Sequence, residues 1–325
     1  MPTTLHEIKR CASSCPVLVV GGLGFIGSRV ARQLSDLGAD VAVADRCLDY
    51  GARTAAEHAR VLEERRRRIG SVRFEQLDAC APGAIAELLR EHRTEVLVHL
   101  ANVPVATFAA DDPVTAAREM LVGIAVLLVA ARDAGVRRFV YVSSSMVYGD
   151  FLCEPAAESH PLASREPYGA LKCGCEHLVR SFTTTCGLDH AIVRPTAVYG
   201  PDGNPGFVIS RFLEAVRSGG TMRVRGVDSR LDFTHVDDAA WGIVLAAMHP
   251  AARNGTFNVS FGAARGLLEA ARLLQDMHPE SRIVVEPADP LYPRRGALDI
   301  GRARTVLGFR PRVPLEEGMR LCHAG

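Results

Sequence analysis

The sequence shows no excess of charge of either sign and no long apolar run. Its 325 residues include 38 lysines and arginines and 37 aspartates and glutamates, so net charge gives no reason to expect nucleic acid or an anionic membrane as a partner. No stretch approaches the roughly 20 consecutive apolar residues of a membrane-spanning helix. The opening residues, MPTTLHEIKR, contain no apolar core of a secretion signal. These absences predict a cytoplasmic protein whose ligand recognition depends on a defined site.

The nine cysteines show neither a metal-binding nor a disulfide pattern. Their number is odd, they are scattered along the chain, and none stands in a C-x-x-C pair. Reduced thiols and no metal site are therefore predicted. Cys173 and Cys175 are interpreted as helix-packing residues. The spacing of His99, His160 and His235 does not suit a metal either, and these histidines are interpreted as structural.

Short apolar runs alternate with helical segments along the first half of the chain. Such runs are typical of buried parallel strands, and their alternation with helices predicts right-handed βαβ crossovers. The predicted strands are residues 17–20, 41–44, 72–77, 96–100 and 139–142. The sequence thus predicts a Rossmann-type doubly wound parallel sheet of the α/β class, with a dinucleotide-binding domain over residues 1–193. Glycine- and proline-rich turns beyond it predict a smaller C-terminal substrate-binding lobe over residues 194–325, interleaved with the first domain.

The densest charge cluster lies between the second and third predicted strands. Residues 63–68 read EERRRR and lack interleaved aromatic residues. They are interpreted as the solvated end of a helix, with binding of a phosphate or a partner as the alternative.

A glycine-rich turn follows the first predicted strand. Gly21, Gly24 and Gly27 precede a helix, and glycines there permit a tight turn, close approach of a pyrophosphate, and packing of the helix on the sheet. Asp45 ends the second strand, where it can accept hydrogen bonds from both ribose hydroxyls of NAD. Arg46 beside it could instead hold the 2′-phosphate of NADP. The combination predicts a dinucleotide site that prefers NAD.

Tyr168 and Lys172 are the candidate catalytic pair. Standing four residues apart, they share one face of a helix, and an ammonium group near a phenol stabilises the phenolate. Upstream, a run of three serines, residues 143–145, follows the fifth predicted strand at the carboxyl edge of the sheet, where such folds bind ligands. A serine there can hydrogen-bond a carbonyl or carbinol oxygen. We therefore predict proton and hydride chemistry at a carbinol carbon.

Further motifs extend this pattern over nearly the whole chain. They are His99-Leu100-Ala101, SSSMVYG at 143–149, RPTAVYGP at 194–201, LDFTHVDD at 231–238 and LGFRP at 307–311. Together with the glycine-rich turn, Asp45 and the Tyr–Lys pair, this series resembles the NAD-dependent epimerase/dehydratases among the extended short-chain dehydrogenases/reductases. The resemblance implies a homodimer and the catalytic residues Ser144, Tyr168 and Lys172. It also implies a cofactor site formed by Gly21, Gly24, Phe25, Ile26, Gly27, Asp45, Arg46, Asp78, Ala79, Leu100, Ala101, Val142, Tyr168, Lys172 and Pro195.

The two positions after Ser144 bear on the reaction. Similar dehydratases and decarboxylases usually carry an acid there, whereas this chain has Ser145 and Met146. Because methionine cannot transfer a proton, elimination across C5 and C6 loses its general acid. The sequence therefore predicts C4 epimerisation of a UDP-hexose through a transient 4-keto sugar. The alternatives are a 4-ketoreductase or a dehydratase/decarboxylase and, from another class, a catalytically silent NAD(P)-binding regulator, which the retained catalytic residues disfavour.

The nucleotide-sugar contacts are predicted in the serine segment and the C-terminal half. They are Ser144, Ser145, Met146, Tyr168, Ala197, Asn204, Arg230, Arg294 and Arg295. The arginines are candidates to bind the diphosphate, and Ala197 with Asn204 favours a neutral hexose over a uronic acid. Two positions depart from the family pattern: Met120 stands where an asparagine is usual, and Asn102 where a small apolar residue usually follows His-Leu-Ala.

Overall fold

The computed structural model describes residues 5–103, 106–289 and 292–324. The strands are β1 (Pro16–Val20), β2 (Asp40–Asp45), β3 (Arg73–Gln76), β4 (Val96–His99), β5 (Arg138–Val142), β6 (Asp189–Pro195), β7 (Val198–Tyr199), β8 (Thr221–Arg225), β9 (Arg230–Leu231), β10 (Thr234–His235), β11 (Gly255–Val259), β12 (Arg265–Gly266) and β13 (Arg282–Glu286). The α-helices are α1 (Leu5–Ala12), α2 (Gly27–Asp36), α3 (Ala55–Ile69), α4 (Pro82–Glu91), α5 (Ala106–Asp111), α6 (Pro113–Ala117), α7 (Gly123–Asp133), α8 (Pro167–Cys186), α9 (Val208–Arg217), α10 (Val236–Met248), α11 (Leu267–Met277), α12 (Gly301–Leu307) and α13 (Leu315–Ala324).

Seven parallel strands form the central sheet in the order β11-β6-β5-β4-β1-β2-β3. The chain winds outward in both directions from β1, so a crevice opens beyond the carboxyl ends of β1 and β4, where such sheets bind ligands. Strands β4 and β5 are buried throughout, which explains why they appear as apolar runs without alternation. The predicted doubly wound α/β fold is confirmed, with strand ends within a residue or so of the expected ones.

Apolar cores lie on both faces of the sheet because its strands point alternate side chains to opposite sides. One core joins the sheet to α1, α2, α10 and α12, and the other joins it to α4, α7 and α8. A further core binds α9, α11 and α13 to the β8–β13 pair in the C-terminal lobe. Strand β11 and helix α10 nevertheless return to the central sheet, so residues after 194 contribute to both lobes.

The helical stretch before β5 is continuous from Pro113 to Asp133, with a π-helical turn at Arg118–Val122 between α6 and α7. By length and composition alone, this stretch is apolar enough to cross a membrane. The charged residues that interrupt it kept it from standing out as an apolar run in the sequence. In the structure it packs against α4 and α8 beside the sheet. We interpret it as a core helix of the nucleotide-binding domain.

The charge run at residues 63–68 is only partly a solvated helix end. Arg65 is buried, and both Arg65 and Arg68 form ion pairs with Asp202 in the turn after β7. Asp202 also pairs with Arg29 of α2, so one buried carboxylate joins α2, α3 and this turn. The sequence prediction is wrong for these two arginines, because a partner more than a hundred residues away leaves no local signal.

Candidate active site

A cleft of about 1520 Å³ crosses the carboxyl ends of the central strands and continues into the C-terminal lobe. It is larger than the roughly 300–1,000 Å³ of an ordinary small-ligand pocket, which gives room for a dinucleotide and a second ligand. Every cofactor, catalytic and substrate residue predicted from the sequence lines this cleft. The structure therefore brings the whole predicted set together, while the role of each residue stays a prediction.

The glycine-rich turn closes one end of the cleft. Gly21 has φ +82°, and a β carbon there would lie 2.5 Å from the backbone nitrogen of Ala101. A β carbon at Gly27 would lie 2.0 Å from the carbonyl oxygen of Gly21, and one at Gly24 would lie 3.0 Å from the same oxygen. The turn therefore tolerates no side chain at Gly21 or Gly27. It presents backbone and the N-terminus of α2 to the cleft, a cradle that fits a pyrophosphate.

Asp45 is held beside this turn at the end of β2. One carboxylate oxygen accepts a hydrogen bond from the amide of Leu23 at 2.9 Å, and the other accepts one from the amide of Cys47 at 2.8 Å. Each oxygen keeps lone pairs that can accept from ribose hydroxyls. Its position and chemistry fit the ribose of NAD.

Arg46 is occupied by acidic partners. Its guanidinium contacts the carboxylate of Glu119 and the hydroxyl of Tyr50, and it lies 3.5 Å from the carboxylate of Asp78. The hydroxyl of Tyr50 also binds Glu119. Because two carboxylates already balance the charge of Arg46, this side chain is poorly placed to take the 2′-phosphate of NADP. Neither Tyr50 nor Glu119 could be found from the sequence, since neither belongs to a motif.

Helix α8 carries the candidate catalytic pair and is fixed at its first turn. The carboxylate of Glu166 accepts hydrogen bonds from the amides of Tyr168 and Gly169 at 2.9 and 2.6 Å. About one turn beyond Tyr168, the ammonium of Lys172 donates to the carbonyl of Val142 at 2.8 Å. Burial lowers the pKa of Lys172 to about 8. The helix is thus tied to the carboxyl end of β5, with Tyr168 and Lys172 facing the cleft.

The phenol of Tyr168 is partly buried beside the end of β4. Burial raises its pKa above the usual value, and the nearby carboxylate of Glu166 adds to this rise. The side-chain amide of Asn102 opposes the rise by donating a hydrogen bond to the phenolic oxygen at 3.1 Å. The ammonium of Lys172 lies 5.7 Å from the centre of the tyrosine ring. Without further positive charge in the cleft, Tyr168 is therefore protonated at neutral pH.

The serine segment follows β5 and faces the same part of the cleft. Ser144 begins a 3₁₀ turn, Ser145–Tyr148, and its hydroxyl accepts a hydrogen bond from the amide of Met146 at 3.2 Å. The hydroxyl of Ser145 is buried and has no hydrogen-bond partner among the described residues. Met146 is itself largely buried. The two positions where an acid would serve elimination therefore carry a hydroxyl and a thioether.

A buried ion pair between β6 and α8 supports the serine segment and the helix that carries Tyr168. Arg194 of β6 donates to both carboxylate oxygens of Glu176, at 2.8 and 2.6 Å, and to the hydroxyl of Tyr148 at 2.9 Å. Glu176 and Arg194 have side chains that are 0% and 2% exposed. The pair joins α8 to the serine turn. The sequence offered one signal for Glu176, because it follows Lys172 by four residues on the helix face that carries Tyr168.

The predicted substrate arginines differ in their surroundings. Arg230 is half exposed and lies 3.4 Å from the carboxylate of Glu154. The backbone amide of Arg294 donates to Asp150 at 2.8 Å. Arg295 lies in the cleft wall, where burial lowers its pKa to about 10, and its Nε has no hydrogen-bond partner within the described ranges. Of the three, Arg295 is therefore the one best prepared to receive an anion.

The fold and the cleft are those of a dinucleotide-dependent enzyme, and the predicted catalytic residues Ser144, Tyr168 and Lys172 line that cleft. The chain belongs to the NAD dependent epimerase/dehydratase family, whose sequence model matches residues 17–260. This confirms the resemblance predicted from the motifs, and with it NAD as the cofactor.

Similar proteins include enzymes with more than one activity. The chain is 34% identical to a UDP-glucose 4-epimerase of Mycolicibacterium smegmatis over 93% of this chain and 95% of that protein. It is 32% identical to a dTDP-glucose 4,6-dehydratase of Actinoplanes sp. over the same shares. A crystal structure of UDP-glucose 4-epimerase from Thermotoga maritima with UDP-glucose matches at a TM-score of 0.84 and 27% identity, over 95% of this chain and 97% of that one.

Proposed function

We propose that the protein is a nucleotide-sugar epimerase that inverts C4 of a UDP-hexose. The observation that carries this proposal is the catalytic set Ser144, Tyr168 and Lys172 in one cleft, followed by Ser145 and Met146 instead of an acid. The similarity to two UDP-glucose 4-epimerases supports it. Since identity to a 4,6-dehydratase is nearly as high, we base the choice between the two reactions on the chemistry of these two positions.

The residues divide the proton chemistry among them. Tyr168, once ionised, accepts the proton of the substrate hydroxyl, and Ser144 hydrogen-bonds the same oxygen as it becomes a carbonyl. Bound NAD supplies the hydride acceptor, the hydride donor for the return step, and a positive charge that favours the phenolate. Turning the 4-keto sugar within the large cleft exposes its other face. Tyr168 then returns the proton to the inverted oxygen, so cofactor and enzyme end the cycle unchanged.

Elimination of water across C5 and C6 needs a base for the C5 proton and an acid for the leaving C6 hydroxyl. The nearby carboxylate of Asp150 is already engaged. It binds the guanidinium of Arg165 at 2.7 Å and the amide of Arg294 at 2.8 Å. A dehydratase would have to release this carboxylate before using it. The arrangement thus favours chemistry confined to one carbinol carbon, with a 4-ketoreductase as the nearest alternative.

The uridine diphosphate is proposed to lie toward the C-terminal lobe. Arg295 would pair with the diphosphate because its Nε has no partner among the described residues, and Arg230 would join after leaving Glu154. Ala197 and Asn204 bring no cation to the sugar end of the cleft. A neutral hexose fits these surroundings better than a uronic acid.

The test is NMR of products formed from UDP-glucose and UDP-galactose by the protein as purified with its bound cofactor. Interconversion without net NADH consumption supports the proposal. Stoichiometric NADH use would identify a reductase, and a 4-keto-6-deoxy product would identify a dehydratase. Tyr168→Phe should lower turnover at least about 100-fold while NAD remains bound. Unchanged turnover in this variant would refute the assigned base.

We further propose a homodimer formed through the helical stretch Pro113–Asp133. Val114, Val122 and Val129 lie on one face of it and are 69%, 55% and 40% exposed. An exposed apolar row on a helix is typical of a surface that pairs with a second copy. Sedimentation equilibrium should give twice the 35.0 kDa mass of the chain. Cytoplasmic location stays a prediction.

A further inference from the structure

Asn102 occupies an unusual place beside the catalytic tyrosine. It directly follows the His99-Leu100-Ala101 motif at the end of β4, at a position where the resemblance described above leads us to expect a small apolar residue. Its side chain reaches across the cleft to α8, and its amide nitrogen lies 3.1 Å from the phenolic oxygen of Tyr168. A small apolar side chain could not make this bond.

We propose that Asn102 is a positioning residue that orients the hydroxyl of Tyr168 and stabilises its phenolate. The inference rests on the proposed function only in treating Tyr168 as the base. A side-chain NH₂ group can donate to an oxygen that carries negative charge, and donation to the charged form favours ionisation. The bond also fixes the oxygen in the cleft, where it must meet the substrate hydroxyl.

Two groups close to Tyr168 oppose its ionisation. The carboxylate of Glu166, just before α8, raises the pKa of Tyr168, and so does the thiol of Cys175 on α8. Lys172, on the same helix, donates to the carbonyl of Val142 and lies over the tyrosine ring.

The strands beneath α8 bring no further cation to the phenol. His99 of β4 is neutral, because burial lowers its pKa to about 3. Tyr141 of β5 is a buried phenol whose own pKa is raised by burial. Within residues 5–103, 106–289 and 292–324, Asn102 therefore provides the hydrogen bond that the phenolic oxygen receives.

The experiment compares Asn102→Ala and Asn102→Asp with the natural protein, each as NAD-bound enzyme. Alanine removes the donor, and aspartate keeps the shape but replaces the donor with an acceptor. Ultraviolet difference titration follows ionisation of Tyr168. Because the chain has six tyrosines, each form is measured against its own Tyr168→Phe partner. Melting temperature and bound NAD, measured on every form, report whether the variants fold.

The pKa of Tyr168 should rise by about one unit in Asn102→Ala and further in Asn102→Asp. The acid limb of kcat/KM should move with it, so activity falls about tenfold at neutral pH and recovers at higher pH. Equal titration of the three forms up to about pH 10, or loss of activity at every pH alike, would overturn the inference. Because the titration needs no turnover, it decides the role of Asn102 even if UDP-hexoses prove not to be substrates.

Discussion

Replacing Glu176 with glutamine should destabilise the protein, because it leaves the guanidinium of Arg194 buried with only part of its partner. Glu176 accepts two hydrogen bonds from Arg194 and one from Arg180 at 2.8 Å. Breaking a buried, hydrogen-bonded ion pair costs about 3–5 kcal/mol. Since glutamine retains one acceptor oxygen, we expect the lower end, about 3 kcal/mol. With an unfolding entropy of about 2.1 cal/mol/K per residue, this corresponds to a fall of about 4 °C in Tm.

The control for this change is Glu63→Gln, which removes the same charge from an exposed pair. Glu63 and Arg67 are 70% and 68% exposed, and such pairs contribute about 0–1 kcal/mol. Differential scanning calorimetry at neutral pH should separate the two variants clearly. Equal Tm values for Glu176→Gln and Glu63→Gln would refute the reasoning that burial makes the Glu176–Arg194 pair contribute more to stability than an exposed pair does.

The buried pair of Glu176 and Arg194 should make the stability of the protein depend on pH. Burial alone would raise the pKa of Glu176, but the hydrogen bonds and positive charge of Arg194 outweigh it and hold the pKa below its usual value. A lowered pKa in the folded state means that the stabilisation is present above the pKa of the unfolded chain and is lost as pH falls through the folded value. The Tm difference between the natural protein and Glu176→Gln should therefore shrink in acid.

Two further changes test the glycine-rich cofactor turn and the buried ion pairs of Asp202. Gly21→Ala should reduce the NAD retained on purification more than about tenfold, because the new β carbon would meet the backbone of Ala101. The control is Gly51→Ala, which should retain NAD, because Gly51 also has a positive φ of +75° but no atom lies within 4 Å of its β-carbon position. Equal retention in the two variants would contradict the close approach at Gly21. Asp202→Asn should cost about 3 kcal/mol or more because three arginines lose their shared carboxylate. Urea unfolding measures this loss of stability. The control is Asp36→Asn, in an exposed pair with Arg32, which should change the free energy of unfolding little. A similar loss in both variants would contradict the importance of the buried ion pairs of Asp202.

The features that the sequence predicted well are those set by local chemistry. Gly24 and Gly27 lie against the backbone of Gly21 a few residues away, and inner strands such as β1 and β4 are buried enough to need an apolar run. Tyr168 and Lys172 could be paired because helical spacing alone places them on one face. For such features, the residue types and their spacing carry most of the structural information.

The features that the sequence missed depend on contacts between distant segments. Arg65 meets Asp202 across 137 positions, and Asn102 meets Tyr168 across 66. Nothing in a run of arginines shows that one of them is buried, because burial is decided by the element that covers it. Asn102 was visible as a departure from the family pattern, but only the approach of the loop after β4 to α8 gave it a partner.

The choice between epimerisation and dehydration depends on fewer positions than the fold does. A 4-epimerase and a 4,6-dehydratase are similar to this chain to nearly the same degree, so neither the sheet nor the glycine turn can distinguish the two outcomes. Both reactions can begin with removal of a hydride and a proton from one carbinol, the step that we propose Tyr168 and Ser144 assist. The resulting 4-keto sugar can lose water across C5 and C6 only where a base takes the C5 proton and an acid protonates the leaving C6 hydroxyl. Met146 cannot transfer a proton, and the carboxylate of Asp150 is held by Arg165, so these side chains support our proposal that the proton returns to the same oxygen.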